Sequence, residues 1–336
     1  MVVASEPAAL QIGINLDGVL VHDGLSTPQA QTRMAWVKHS GAFDYIEKNI
    51  DPTEDFAPYF QWVEQHGVPI RVFGGIFCAH QDEHRMRWGL RTGGPLGAKI
   101  FNMQLYARRS DGREISDREV ADFFLEAMEH GSQSGCLPSL EVHVDMWSER
   151  FARVEAVANL LAQSNVDLRL TLDHSHLIFK IDNPEELGLS SVEPGSDGGR
   201  HRLAAGNPKA FYTQWLKSGW VVHAHARSVA TGVAHNPRAR RTRELQGRAI
   251  QYPFVQPGTG QFHSDWNEQR LQEWKAAVRE LLVHMRQQKS TQQISCEFIP
   301  FADYGGGARY SIWDNNLACA QWLREEWATI QAAATS

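Results

Sequence analysis

Eight short runs of strand character recur along the chain, and between them lie segments whose apolar residues fall at three- and four-residue spacing. Alternation of period two belongs to a strand, and the wider spacing belongs to one face of a helix. The strand runs are QIGINL (11–16), FDYIE (43–47), PIRVFGGIFCA (69–79), AKIFNMQLYA (98–107), SLEVHVDM (139–146), DLRLTLD (167–173), WVVHAHA (220–226) and QISCEFI (293–299). Helices are predicted over 28–40, 55–66, 148–163, 267–288 and 313–332. SDREVADFFLEAMEHG (116–131) has the clearest ends: Ser116 and Glu119 stand at capping-box spacing, and Gly131 is expected to stop the helix. NPKAFYTQWLKSG (207–219) repeats this logic, with Asn207 as cap, Pro208 at the first helical position and Gly219 beyond the end.

Eight strand and helix alternations predict one α/β domain, a parallel (β/α)8 TIM barrel over about residues 10–332. An open doubly wound sheet fits less well, because no Gly-rich phosphate fingerprint follows the first strand. Two connections are long, 182–206 and 227–264, and are expected as loop insertions after strands six and seven. The second contains the basic run RARRTRE (238–244) and PFVQPGTG, which are expected to form a lid or a partner surface.

Composition removes several classes of function. A formal charge of −6 and a single short basic run give no broad attraction for a phosphate backbone, so nucleic acid is not expected as a partner. Cys78, Cys136, Cys296 and Cys319 are scattered without C-x-x-C spacing, which indicates neither a disulfide framework nor structural zinc. No stretch of ~18 apolar residues and no signal-like start occurs, so no membrane association and a cytoplasmic location are expected.

The chemistry gathers at the ends of the later strands. In LRLTLDHSHLIF (168–179) a greasy run closes on Asp173, His174, Ser175 and His176. Glu141 and His143 share one face of the fifth strand, His223, His225 and Arg227 share one face of the seventh, and Glu297 sits on the eighth. Buried singly, such groups are costly, whereas around a divalent cation at the C-terminal rim of a barrel they are satisfied. Strands one to four supply much less of this kind. His223 reads equally as a core histidine.

The set LEVHVD, LTLDHSHL, VVHAHARS, QPGTGQ and ISCEF, in that order, resembles the xylose isomerase-like barrel superfamily of sugar isomerases and epimerases. The resemblance implies metal ligands Glu141, Asp173, His225 and Glu297, with His176 and Arg227 on substrate oxygens and His223 beside them. His174 is assigned to packing around the site. Three carboxylates and one imidazole favour Mn2+, or alternatively Mg2+ or Co2+. Ser228 departs from the many members that carry an acid after the basic residue, which opens the question of substrate.

Chain length, His143 and the extended seventh connection look like the large subunit of bacterial C-glycoside deglycosidases. That resemblance implies a lyase acting on 3-keto aryl C-glycosides, with Glu141, Glu297 and His143 as catalytic groups. It also implies a small β-rich partner subunit and an oligomer. Ketose 3-epimerisation and aldose–ketose isomerisation use the same proton abstraction and stand as the alternative. An endonuclease IV-type phosphodiesterase would need further ligands, for which His80, His263 and Asp265 are the candidates. A non-catalytic sugar-binding barrel predicts ligand loss, and all four ligand positions are filled.

Overall fold

The computed structural model describes residues 9–21, 27–232, 251–259, 261, 266–288, 292–300 and 310–333. Eight strands, β1 (Leu10–Asn15), β2 (Tyr45–Asn49), β3 (Ile70–Phe77), β4 (Ile100–Leu105), β5 (Leu137–Val142), β6 (Leu170–Asp173), β7 (Val221–Ala226) and β8 (Gln292–Cys296), lie where the apolar runs predict them. Each pairs in parallel with the next and β8 returns to β1, so the sheet closes as a barrel without free edges. Parallel neighbours require crossovers, which the helices supply outside the barrel. These are α1 (Ala30–Ser40), α2 (Ala57–His66), α3 (Glu83–Leu96), α4 (Asp117–Ser134), α5 (Ala152–Ala162), α6 (Ser175–Ile178), α7 (Pro184–Leu189), α8 (Arg200–Leu203), α9 (Phe211–Lys217), α10 (Gln272–Gln287) and α11 (Ile312–Ala332). No described helix is long and apolar enough to cross a membrane.

Helix α3 has no counterpart in the helical pattern of the sequence, because Gly89, Gly93, Gly94 and Pro95 weaken that pattern. Packing explains them. A Cβ on Gly89 would lie 2.6 Å from the Phe101 ring, and one on Gly94 would lie 2.2 Å from the Ser134 carbonyl. The bare backbone therefore lets α3 press against β4 and α4.

Helix α4 keeps its capping box, with Ser116 Oγ accepting from Glu119 N and Glu119 Oε2 accepting from Ser116 N. Gly131 does not end it; the left-handed residue is Gly135 at φ 75°, and Gly131 is buried against Cys136 and Pro138. Helix α9 begins at Phe211 instead of Pro208, because Asn207 accepts from Lys209 N in a separate turn. Gly219 follows its end with φ 73° as expected.

The connection 182–206 is not loop throughout, since it holds α7 and α8. Lys180, fully buried, ties α7 down through Glu186 Oε2 at 3.0 Å and Glu149 Oε1 at 2.8 Å. In the seventh connection, residues 251–255 are fastened to the barrel. Gln251 exchanges hydrogen bonds with the Ile299 backbone at 2.9 and 3.2 Å, and Asn315 Oδ1 accepts from Phe254 and Val255. The basic run 238–244 lies outside the described residues.

Candidate metal centre

Register decides which side chains meet. Glu141 pairs with Thr171, Asp173 with His225, and His225 with Ser295. Asp173 and Glu297 each stand two residues beyond those partners, so the ligand positions climb the tilted strands in steps of two and all face inward. One ligand atom from each of Glu141, Asp173, His225 and Glu297 falls within 4.8 Å of the others. The four expected ligands thus share one centre, at the C-terminal end of the barrel.

Neighbours fix how each ligand is presented. Asn102 Nδ2 (2.6 Å) and Gln104 Nε2 (2.9 Å) donate to Glu141 Oε2. Asn15 Nδ2 donates to Glu297 Oε1 at 3.1 Å. Asp173 accepts from the Ser175 amide on Oδ1 and from Arg227 Nη2 on Oδ2, at 2.8 and 2.7 Å. His225 Nε2 lies 3.0 and 3.1 Å from the two oxygens of Glu47. An ionised carboxylate only accepts, so Nε2 carries a proton and Nδ1 is turned to the centre, 3.1 Å from Glu297 Oε2 and 3.3 Å from Glu141 Oε1.

Two atoms at this centre are left over. Glu141 Oε1 and His225 Nδ1 are buried and face each other at 3.3 Å without the geometry of a hydrogen bond. Buried polar atoms are nearly always satisfied, so this pair is what a bound cation would complete. Charge agrees, because among the described residues Glu47, Glu141, Asp173 and Glu297 face one guanidinium, Arg227, and four imidazoles, of which burial holds His143, His176 and His223 below their usual range. Burial works against charge on His225, yet Glu297, Glu47 and Glu141 outweigh it and hold this imidazole well above its usual range. Burial pushes Glu297 up to about 7. Burial also opposes ionisation of Glu141, but His225 and the amide donors prevail and hold it below the ordinary carboxylate value.

His143 and His176 adjoin Glu141, their rings 3.7 Å apart between centroids. His143 Nδ1 donates to the Val144 carbonyl at 2.6 Å, which makes Nε2 the basic nitrogen. Burial dominates its environment and lowers its pKa. Arg227 and His176, expected on substrate, are fully buried and joined to each other at 2.8 Å, and Arg227 also holds Asp173. His223 takes the core position that was one of its two readings. It sits two residues below His225, without exposed surface, between Thr171 Oγ1 (3.3 Å) and Ser295 Oγ (3.0 Å). Ser139 and Tyr45 extend this belt of hydroxyls beneath the centre, so His223 supports the site from the core instead of lining it. His174 packs edge-on against Tyr212, and burial pushes it down to about 4.

Strands one to four contribute more than the sequence suggests. Asn15, Glu47, Asn102 and Gln104 orient three of the four ligands. Glu47 was visible only as an acid closing a strand run, and nothing local distinguished it from a surface glutamate. His80 pairs with Glu119 at 2.8 Å, half exposed, and joins no ligand cluster among the described residues; His263 and Asp265 lie outside those residues.

A cavity of about 430 Å3 opens over the centre, and of the four clustered residues Glu297 lines it. Asp17, Arg85, Asn49, Asn102 and Gln104 make its polar side, while Ile50, Ile76 and Tyr106 make an apolar wall.

Neither a protein-family model nor a curated protein matches the sequence. Solved structures do resemble the fold. An L-ribulose 3-epimerase matches over 97% of both chains at 14% identity, with a TM-score of 0.54. A D-allulose 3-epimerase from Methylomonas sp. in complex with D-allulose covers 95% of this chain and 98% of its own, at 12% identity and a TM-score of 0.56. A xylose isomerase-like TIM barrel protein from Mycobacterium smegmatis in complex with magnesium covers 98% of each chain, at 12% identity and a TM-score of 0.56. The chain has the xylose isomerase-like TIM-barrel fold.

Proposed function

We propose that the protein is a divalent-metal-dependent enzyme that removes a proton from the carbon next to a sugar carbonyl. The observation that carries this reading is the pair of buried, unsatisfied atoms, Glu141 Oε1 and His225 Nδ1, at a centre shared with Asp173 and Glu297. The oxygen-rich donor set favours Mn2+, with Mg2+ or Co2+ as alternatives. When bound, such an ion polarises a carbonyl and acidifies the adjoining C–H bond.

The residues supply the proton chemistry. Glu297 reaches the cavity and is placed to meet substrate, and Glu141 lies across the centre from it as a second carboxylate. His143 offers a basic Nε2 beside Glu141. Arg227 and His176 hold Asp173 and the adjoining wall in position.

The specific reading is β-elimination from a 3-keto aryl C-glycoside. A C–C link to an aromatic ring has no lone pair for a general acid, so ordinary glycoside hydrolysis is closed to it. With a ketone at C3, a base takes the C2 proton, the C2–H electron pair becomes the C1=C2 bond, and the C1–aryl pair leaves to the ring. The released ring carbon takes up a proton, with His143 exchanging a proton with the aglycone phenol. The apolar wall of Ile50, Ile76 and Tyr106 beside a polar side suits a substrate with an aromatic half and a sugar half. A small β-rich partner subunit and an oligomeric assembly belong to this reading. Ketose 3-epimerisation or aldose–ketose isomerisation is the second reading, favoured by epimerases among the similar structures.

Incubating the Mn2+-loaded protein in D2O separates the two. The ketose D-allulose and an oxidised aryl C-glycoside are offered in turn, with and without the partner subunit. Release of free aglycone supports elimination, whereas deuterium at the epimerised carbon supports epimerisation. His143→Ala is expected to keep its metal and lose about 100-fold or more in rate. Absence of C–H exchange with both substrates, at full metal occupancy, would overturn the proposal.

A further inference from the structure

The opposite end of the barrel holds a second and larger cavity, about 810 Å3, where the strands begin. Residues at this end of such barrels serve stability, and catalysis occupies the other end. Its lining gathers four nitrogen side chains from four segments: Lys99 before β4, Arg169 before β6, Lys217 in the last turn of α9 and His284 in the last turn of α10. No carboxylate lines it among the described residues. On a chain whose acids outnumber its lysines and arginines, 39 to 33, that segregation needs a reason.

Arg169 supplies the sharpest observation. Its Nε donates to the Pro138 carbonyl at 3.0 Å, which fixes the plane of the guanidinium. Its two Nη groups make no hydrogen bond, and no carboxylate among the described residues pairs with it. Burial pushes it below the ordinary guanidinium value with nothing acidic to offset the cost. Half-buried charges are normally paired, so the oriented fork lacks its counter-ion.

We propose that this cavity binds a small organic phosphate, its dianionic group held two-pronged by Arg169 and neutralised by Lys99 and Lys217. The planar fork matches two phosphate oxygens, and lysines act as point charges beside it. A single carboxylate would neutralise only one of the three cations. The volume is that of a small-molecule site, with Ile100, Leu137 and Val221 offering an apolar floor to the organic part. Val221 lines this cavity and His225 stands four residues further along β7, a rise of about 13 Å, so the two sites are separate.

Phenyl phosphate serves as the probe, titrated calorimetrically into the full-length, metal-loaded protein at fixed ionic strength. Saturable binding is expected, weakened at least tenfold in Arg169→Gln and in the Lys99→Gln/Lys217→Gln pair, and unchanged in the parent protein stripped of metal by a chelator. If Arg169→Gln fails to fold, the lysine pair, whose side chains are exposed, carries the test alone. Absence of saturable binding, binding that survives the lysine changes, or binding lost when the metal is removed would each overturn the proposal.

Discussion

Replacing Glu47 by Gln tests whether the metal centre is tuned from behind. Glu47 lies fully inside the barrel and accepts the Nε2–H of His225 at 3.0 and 3.1 Å, in a position that sets which ring nitrogen faces the other ligands. Gln keeps the volume and one acceptor oxygen but removes the charge. A hydrogen bond to a charged group contributes about 1.5–3 kcal/mol, so the expected loss of metal affinity is about 10- to 100-fold. The metal-free protein responds differently, because removing one of several crowded carboxylates relieves repulsion, and its thermal midpoint should not fall in proportion. Calorimetric titration of the metal-free parent and variant with Mn2+ measures the affinity, and circular dichroism follows unfolding. An unchanged Mn2+ affinity in Glu47→Gln, alongside abolished binding in His225→Ala, would show that the carboxylate does not prepare the imidazole.

Three further outcomes follow from named contacts. Asp173→Asn and His225→Ala should each empty the centre, which elemental analysis of purified protein reads as a fall from one ion per chain; full occupancy in both would remove them as ligands. Ser116→Ala should cost about 1 kcal/mol at neutral pH in urea unfolding, through the lost cap of α4. Hydrogen bonds from Ser116 hold Glu119 at about 2 instead of 4.5, so this stabilisation is full above 4.5 and fades as pH falls toward 2. The gap between parent and variant should therefore narrow in acid, and a constant gap would contradict the assignment. Lys180→Met leaves Glu149 and Glu186 facing each other without their shared cation, at an expected cost of about 3–5 kcal/mol in unfolding free energy; an unchanged melting temperature would refute it.

Period-two and period-3.6 patterning made all eight strands and most helices legible, because burial on one face imposes those spacings whatever the partner. Where a glycine served packing between elements, as at Gly89 against Phe101 and Gly94 against Ser134, local reading failed: the close neighbour that demands the missing side chain lies on another element. The four residues that cluster at the candidate centre were readable, since acids and imidazoles at the ends of apolar strands stand out against their surroundings.

What the chain's order could not contain is how those strands are staggered. Only the closed barrel sets Asp173 opposite His225 and His225 opposite Ser295, and only closure brings β2 across to place Glu47 behind His225. The same stagger drops His223 into the hydroxyl belt and turns Arg227 onto Asp173. The sequence determines which residues face inward, because alternation is a property of one strand; which of them touch is a property of eight strands at once, and the register and tilt of the barrel decide it.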